Sequence, residues 1–154
     1  MAVAAIDRSN SVTAGEWEQR VKLAAVYRTF ARMGWDDMIY THISVRVPGP
    51  DQHFLINPFG LMYEEVTASN LVKIDLAGEK VEADEPHEIN YAGYIIHSAV
   101  HEALQDIHCV IHLHTDSGVA VASQKDGLLP LSQFNLFHYG GVGYHDYEGL
   151  ALDA

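Results

Sequence analysis

The stretch Ile107-His108-Cys109-Val110-Ile111-His112-Leu113-His114 constrains this chain more than any other. It is β-branched and apolar enough to form a strand, and a strand points alternate side chains to opposite faces. His108, Val110, His112 and His114 then share one face, and Ile107, Cys109, Ile111 and Leu113 the other. Two histidines two residues apart aim the same way. Neutral imidazole is the commonest metal-ligating side chain, so His112 and His114 are candidates for two corners of a tetrahedral Zn²⁺ site. The competing reading is a pair of half-buried histidines satisfied by hydrogen bonds, but such a pair is costly to bury inside an apolar strand. His108 lies roughly 13 Å from His112 along an extended strand and does not reach the same ion. Cupins and carbonic anhydrases use the same spacing, so it indicates a metal without choosing a fold.

The rest of the composition narrows the class. At 154 residues, 48% of them apolar, the chain is large enough for one domain with a real core. A net charge of −12 argues against a nucleic-acid partner, since phosphate neutralisation needs clustered Lys and Arg. No apolar run is long enough to cross a bilayer and no leader pattern opens the chain, so a cytoplasmic protein is the expectation. Cys109 is the single cysteine, which rules out an internal disulfide. Its place on the apolar strand face predicts a small buried hydrophobe rather than a nucleophile.

Along the chain, residues 1–12 have little pattern and read as a flexible arm. Thr13-Ala14-Gly15-Glu16 reads as a capping box in which hydroxyl and carboxylate both bond backbone N–H groups. The helix it opens runs to about Met33, with Leu23, Val26, Tyr27, Phe30 and Met33 as its buried stripe and Gly34 as a left-handed stop. Tyr40 to Val47 alternates, with Ile43, Val45 and Val47 facing one way and His42, Ser44 and Arg46 the other. His53 to Asn57 and Leu71 to Asp75 are further strands, and Glu79 to Ala83 is a candidate hairpin return. Asn90 caps a second helix from Tyr91 to about Gln105, with Ile95, Ile96, Ala99, Val100, Ala103 and Leu104 on its buried side. After the histidine strand, Asp116 or Ser117 caps a third helix from Gly118 to about Lys125. Leu128 to Tyr139 is mixed and apolar, and Gly140-Gly141-Val142-Gly143 a flexible loop. Short turns between the early strands favour antiparallel pairing, and helices must cover the sheet, which gives one α/β layered domain.

Three other constellations are weaker. His97 and His101 share a helix face, but the helical zinc motif of metalloproteases needs a Glu after the first histidine, and Ser98 stands there, so a plain polar helix face is the expectation. Glu85 and Glu88 flank Pro86 in what reads as a solvated acidic loop. The glycines at 140, 141 and 143 do not follow a strand and open a helix, so they make no phosphate loop.

Taken together, Thr41-His42-Ile43-Ser44-Val45-Arg46, Ile56-Asn57-Pro58-Phe59-Gly60, Leu71-Val72-Lys73-Ile74-Asp75 with its Gly78 turn, His97-Ser98-Ala99 and Cys109-Val110-Ile111-His112-Leu113-His114 resemble the class II aldolase/adducin family. Gly127-Leu128-Leu129-Pro130-Leu131-Ser132-Gln133 looks more like its adducin-type branch. The resemblance covers residues 13–154 and the N-terminal two-thirds of the family domain. It implies a three-layer α/β/α sandwich around a mostly antiparallel mixed sheet, incomplete at the C-terminal end, assembled as a homotetramer. Such an unfinished sheet leaves an open edge and an exposed core. The resemblance also implies a divalent metal, most often Zn²⁺, held by three histidines and used as a Lewis acid on a small-molecule carbonyl substrate. His112 and His114 match the first two ligands. The third belongs to an Asn-His-Gly-like segment with no counterpart here: His138 and His145 are the only later histidines, and neither sits in a matching motif.

The departures from the family pattern concern the substrate pocket. The aldolases' catalytic Glu corresponds to Gly93, which can neither take nor give a proton. Two phosphate-binding serines correspond to Tyr91 and Ala92, a phosphate-contacting Asn to His42, and a Thr to Phe59; Gly60 alone is retained. The substrate-pocket candidates are therefore His42, Phe59, Gly60, Tyr91 and Gly93, with no assigned catalytic residue. Two readings follow from the resemblance. One is a metal-dependent lyase acting on a small, non-phosphorylated hydroxy- or oxo-compound by aldol cleavage, decarboxylation or epimerisation. The other is an adducin-like module, catalytically inactive, that binds metal or serves as a scaffold. A cupin-like barrel is a third, to be recognised by the absence of long helices.

Overall fold

The computed structural model describes residues 8–147 and 149; the expectations for the other residues of the arm and of the C-terminal end lie outside the described residues. The first helix, α1 (Ala14–Met33), starts where Thr13 Oγ1 accepts the Glu16 N–H at 3.2 Å and stops at Gly34, whose φ of 65° no β-branched residue would adopt cheaply. Only the hydroxyl half of the expected capping box forms. The Glu16 carboxylate turns instead to Arg20 at 2.8 Å and Lys73 at 2.9 Å. Arg20 is fully buried, pairs also with Glu82 at 3.1 Å, and donates to the Leu71 carbonyl at 2.6 Å, so its charge is compensated on every side. Leu23 and Tyr27 are buried as expected, whereas Met33 is 50% exposed because the stripe outruns the sheet beneath it.

Four strands follow: β1 (His42–Arg46), β2 (Phe54–Ile56), β3 (Val72–Ile74) and β4 (Cys109–His112). Their order is β3-β2-β1-β4 and every pairing is antiparallel. The Glu79 to Ala83 hairpin reduces to one bridge, Ile74 opposite Lys80. Helix α2 (Tyr91–Ala103) opens at Asn90, whose side chain accepts the Gly93 N–H at 3.2 Å. It covers the face opposite α1, which makes three layers. The α1 side buries Leu23, Tyr27, Ile43, Leu55 and Leu71, and the α2 side Phe54, Ile56, Ile74, Tyr94 and Ile95.

Three expectations are corrected. First, α2 is rotated about its axis. Ile95 is buried, but Ile96 is 48% and Leu104 53% exposed, and His97, Ser98 and His101 face the sheet instead. Second, β4 is the edge strand of the described sheet, so Cys109 is exposed rather than buried and Ile111 is 47% exposed. Third, the next helix, α3 (Asp116–Ala122), is capped by Thr115, which accepts the Gly118 N–H, not by Asp116 or Ser117. Part of the mixed stretch after it is helical, as α4 (Gln133–His138). Among the described residues α3 and α4 bury no side chain, and Leu131, Phe134 and Phe137 stand exposed. Arg8 is buried and donates to Glu85 at 2.8 Å; Glu85 is itself 6% exposed, so that half of the acidic loop is not solvated.

Candidate metal centre

Register builds the centre. The β1–β4 pairing sets His42 opposite His112, and period-two alternation puts Ser44 on the same face as His42. Helix α2 lays His97 and His101, one turn apart, over that face. The result is a continuous chain of side chains. His114 Nδ1 lies 2.8 Å from Asp37 Oδ2, and His114 Nε2 lies 3.1 Å from His112 Nε2. His112 Nδ1 is 3.0 Å from His42 Nε2, and His42 Nδ1 is 2.8 Å from His97 Nε2. Ser44 Oγ then bridges His97 Nδ1 at 2.6 Å and His101 Nε2 at 2.9 Å. The far ring stacks on Phe54, with centroids 4.4 Å apart, and the His101 backbone carbonyl accepts from Arg46 at 2.7 Å.

Burial holds the His42, His97, His101 and His112 rings toward the neutral form. Desolvation pushes His42 down to about 4, helped by His112 and His114, and His97 down to about 3, helped by the neighbouring histidines. Burial and then the Arg46 charge push His101 down to about 4. His112 is also lowered, by burial and by His114. An imidazole must be unprotonated to ligate, so the centre is kept ready near neutral pH.

The donor set fits two corners of a metal site. Two nitrogens each about 2.0–2.1 Å from a tetrahedral Zn²⁺ stand roughly 3.3 Å apart, close to the 3.1 Å between His112 Nε2 and His114 Nε2. Each ligand candidate has its other nitrogen held, by Asp37 for His114 and by His42 for His112, the usual outer support of a metal-bound histidine. Among the described residues no group of three or more His, Cys, Asp or Glu side chains converges on one ion position. Neither His138 nor His145 is brought to the pair.

Of the pocket candidates, the structure brings His42 and Gly93 to this centre and leaves Phe59, Gly60 and Tyr91 outside the hydrogen-bonded cluster. Phe59 is 46% and Tyr91 60% exposed. A Cβ on Gly93 would sit on the His42 ring, 2.6 Å from Cδ2 and closer still to Nε2. The two departures from the family pattern are thus one: the imidazole at 42 occupies the room that a side chain at 93 would need. Glu88, in the acidic loop, pairs with Lys80 at 2.9 Å. Sequence reasoning passed over Asp37, Ser44, His97 and His101 as parts of the site. Alternation could have found Ser44 and helical spacing the two histidines; nothing local marks Asp37. An open cleft of about 590 Å³ adjoins His114 and is lined by Trp35, Asp36, Asp37 and Asp116 among others, with no Lys or Arg.

Comparison with known proteins agrees with this architecture. Residues 21–154 match the class II aldolase and adducin N-terminal domain, and the chain belongs to that family. A solved aldolase II superfamily protein from Pseudomonas syringae is 58% identical, with a TM-score of 0.90 over 94% of this chain and 58% of its own. An L-fuculose 1-phosphate aldolase from Glaciozyma antarctica is 32% identical, with a TM-score of 0.76 over 82% of this chain and 52% of its own. Alpha-adducin of Mus musculus is 49% identical over 90% of this chain and 19% of its own length. The chain spans 56% and 59% of two bacterial relatives that carry class 2 aldolase names.

Proposed function

We propose that this chain carries the metal half-site of a divalent-metal-dependent carbon–carbon lyase of the class II aldolase type, with Zn²⁺ on His112 and His114. The supporting observation is the 3.1 Å approach of their Nε2 atoms with both Nδ1 atoms already held. A bound ion would polarise a substrate carbonyl as a Lewis acid. The chain's own part is to keep both imidazoles aimed and, by burial, to favour the neutral form of His112. The substrate in this reading is a small, non-phosphorylated hydroxy- or oxo-compound. The cleft beside His114 presents Asp36, Asp37 and Asp116 and no cation, which disfavours a phosphate dianion. A homotetramer in the cytoplasm, without nucleic-acid or membrane partners, completes the proposal. It is supported by the exposed Ile96 and Leu104, the edge position of β4 and the net charge of −12. No described helix is long and apolar enough to cross a membrane.

The test is zinc content and affinity of the parent against the double variant His112→Ala/His114→Ala, with turnover of a panel of hydroxy- and oxo-compounds before and after chelation. Loss of zinc in the variant and chelator-sensitive turnover in the parent are the expected results. Equal zinc content would remove the metal reading. The adducin-like reading, a metal-binding scaffold without turnover, is favoured by Gly93 and by the 49% identity to alpha-adducin. Zinc binding with no turnover on any panel member would select it.

A further inference from the structure

The metal reading uses His112 and His114 and leaves His97, Ser44 and His101 unexplained, although all three are buried polar side chains at 2%, 1% and 0% exposure. Hydrogen-bond logic gives their chain a direction. The Asp37 carboxylate can only accept, so His114 carries its proton on Nδ1 and offers a lone pair at Nε2. A neutral His112 then donates from Nε2 and must accept at Nδ1 from His42 Nε2–H. By the same rule His42 accepts from His97 Nε2–H, His97 accepts from the Ser44 hydroxyl, and Ser44 accepts from His101 Nε2–H. The chain ends on a bare lone pair at His101 Nδ1. That atom is one of the few buried side-chain polar atoms without a partner among the described residues. The orphan is what a relay running toward Asp37 leaves at its start.

A cation on His112 Nε2 forces the opposite arrangement, because the remaining proton of the neutral ring must then sit on Nδ1. Every hydrogen bond reverses: His112 donates to His42, His42 to His97, His97 to Ser44, and Ser44 to His101 Nε2. His101 then carries its proton on Nδ1, the atom left without a partner among the described residues. One proton leaves His112 Nε2 for solvent, one crosses each hydrogen bond, and one is taken up from solvent at His101 Nδ1, which a ring at 0% exposure allows only during a transient opening of α2. The relay holds as many protons after as before, and every ring stays neutral.

We propose that Ser44, His97 and His101, acting through His42, are positioning residues for the metal ligand His112: their relay fixes which of its nitrogens is free, and it reverses direction when the ion binds. The inference rests on the metal reading above. It also gives a reason for Gly93, since any side chain there would push the His42 ring out of the relay.

Long-range ¹H–¹⁵N spectra of the histidine-labelled full chain, chelator-treated and with one equivalent of Zn²⁺, test it without reference to activity. The expected result is a proton on Nε2 of His97 and His101 without zinc and on Nδ1 with it. Zinc that shifts His112 and His114 while leaving the His97 and His101 tautomers unchanged overturns the relay and leaves the metal reading standing. Zinc that shifts none of the four defeats both. Ser44→Ala cuts the relay at its hydroxyl, and a thermal melt checks that the variant folds. Zinc affinity measured against a competing chelator is expected to fall about tenfold, and an unchanged affinity counts against positioning. Should that variant not fold, His101→Phe keeps the ring stack on Phe54 and removes the relay's end, with the same two outcomes.

Discussion

The two faces of one sheet are built on opposite principles. Toward α1, strand residues Ile43, Val47 and Leu55 meet Leu23 and Tyr27 in an apolar layer. Most of its few polar groups are paired: Tyr27 accepts the Ile43 and Asn57 N–H groups, at 2.8 and 3.2 Å, and Arg20 sits among carboxylates and a carbonyl, while the buried Tyr63 hydroxyl has no partner among the described residues. Toward α2, the same strands present His42 and Ser44, and the helix answers with His97 and His101. A buried polar network of that kind costs stability if any member lacks a partner, and in return it orients its members tightly. The α1 face therefore carries the fold together with the Phe54, Ile56, Ile74, Tyr94 and Ile95 cluster under α2, and the His42 end of the α2 face carries whatever chemistry the centre performs.

The largest expected effect breaks the first face alone. Leu55→Ala removes a fully buried side chain from the α1 layer and should cost roughly 2–5 kcal/mol in denaturant unfolding. Zinc affinity of the folded fraction should be unchanged; a parallel loss would mean that the two faces are not separable. Gly93→Ala makes the converse cut. Its Cβ meets the His42 ring, so overpacking should cost about 1–3 kcal/mol and loss of the outer support of His112 roughly 10–100-fold in zinc affinity. Zinc affinity equal to the parent's would show that His42 has room to move without releasing His112.

The same division explains what could be read from the sequence. Capping by Thr13 and Asn90, the Gly34 stop and the alternation of β1 are local chemistry, and each stands where the residues put it. Alternation also placed His112 and His114 together. The orientation of α2 was misjudged, because an apolar stripe normally faces inward. Here the sheet face beneath already carries His42 and Ser44, whose buried polar atoms need partners that Ile96 and Leu104 cannot offer, so the histidine side turns in. Asp37 was invisible for a different reason. It lies in the loop after α1, and only the tertiary fold brings it within 2.8 Å of His114.

Acid should separate the faces by pH. His42, His97 and His101 are held down to about 4, 3 and 4 by burial, whereas the unfolded chain protonates near 6.5. Below that value the unfolded state takes up protons that the folded state refuses, so stability is lost as pH falls from about 6.5 toward 4. Melting temperatures of the zinc-free protein should decline through that window, and His97→Gln should flatten the decline. A slope unchanged by the substitution would take His97 out of the acid response and leave it to His42 and His101.

The smallest effect marks where the α1 face ends. The apolar side of β4 has the alternation of a buried surface, yet Cys109 on it is exposed, because β4 lies at the sheet edge. If α1 covers β1 and β2 and stops there, Cys109→Ser should change stability by no more than about 0.5 kcal/mol, and the parent thiol should react with a disulfide reagent without unfolding. A cost of about 1–3 kcal/mol, the range for burying an unpaired hydroxyl, would instead mean that this side of β4 is covered in solution. The cover would then be a second copy of the chain seated on the open edge, and the cost should diminish on dilution, since a dissociating partner would uncover the same thiol.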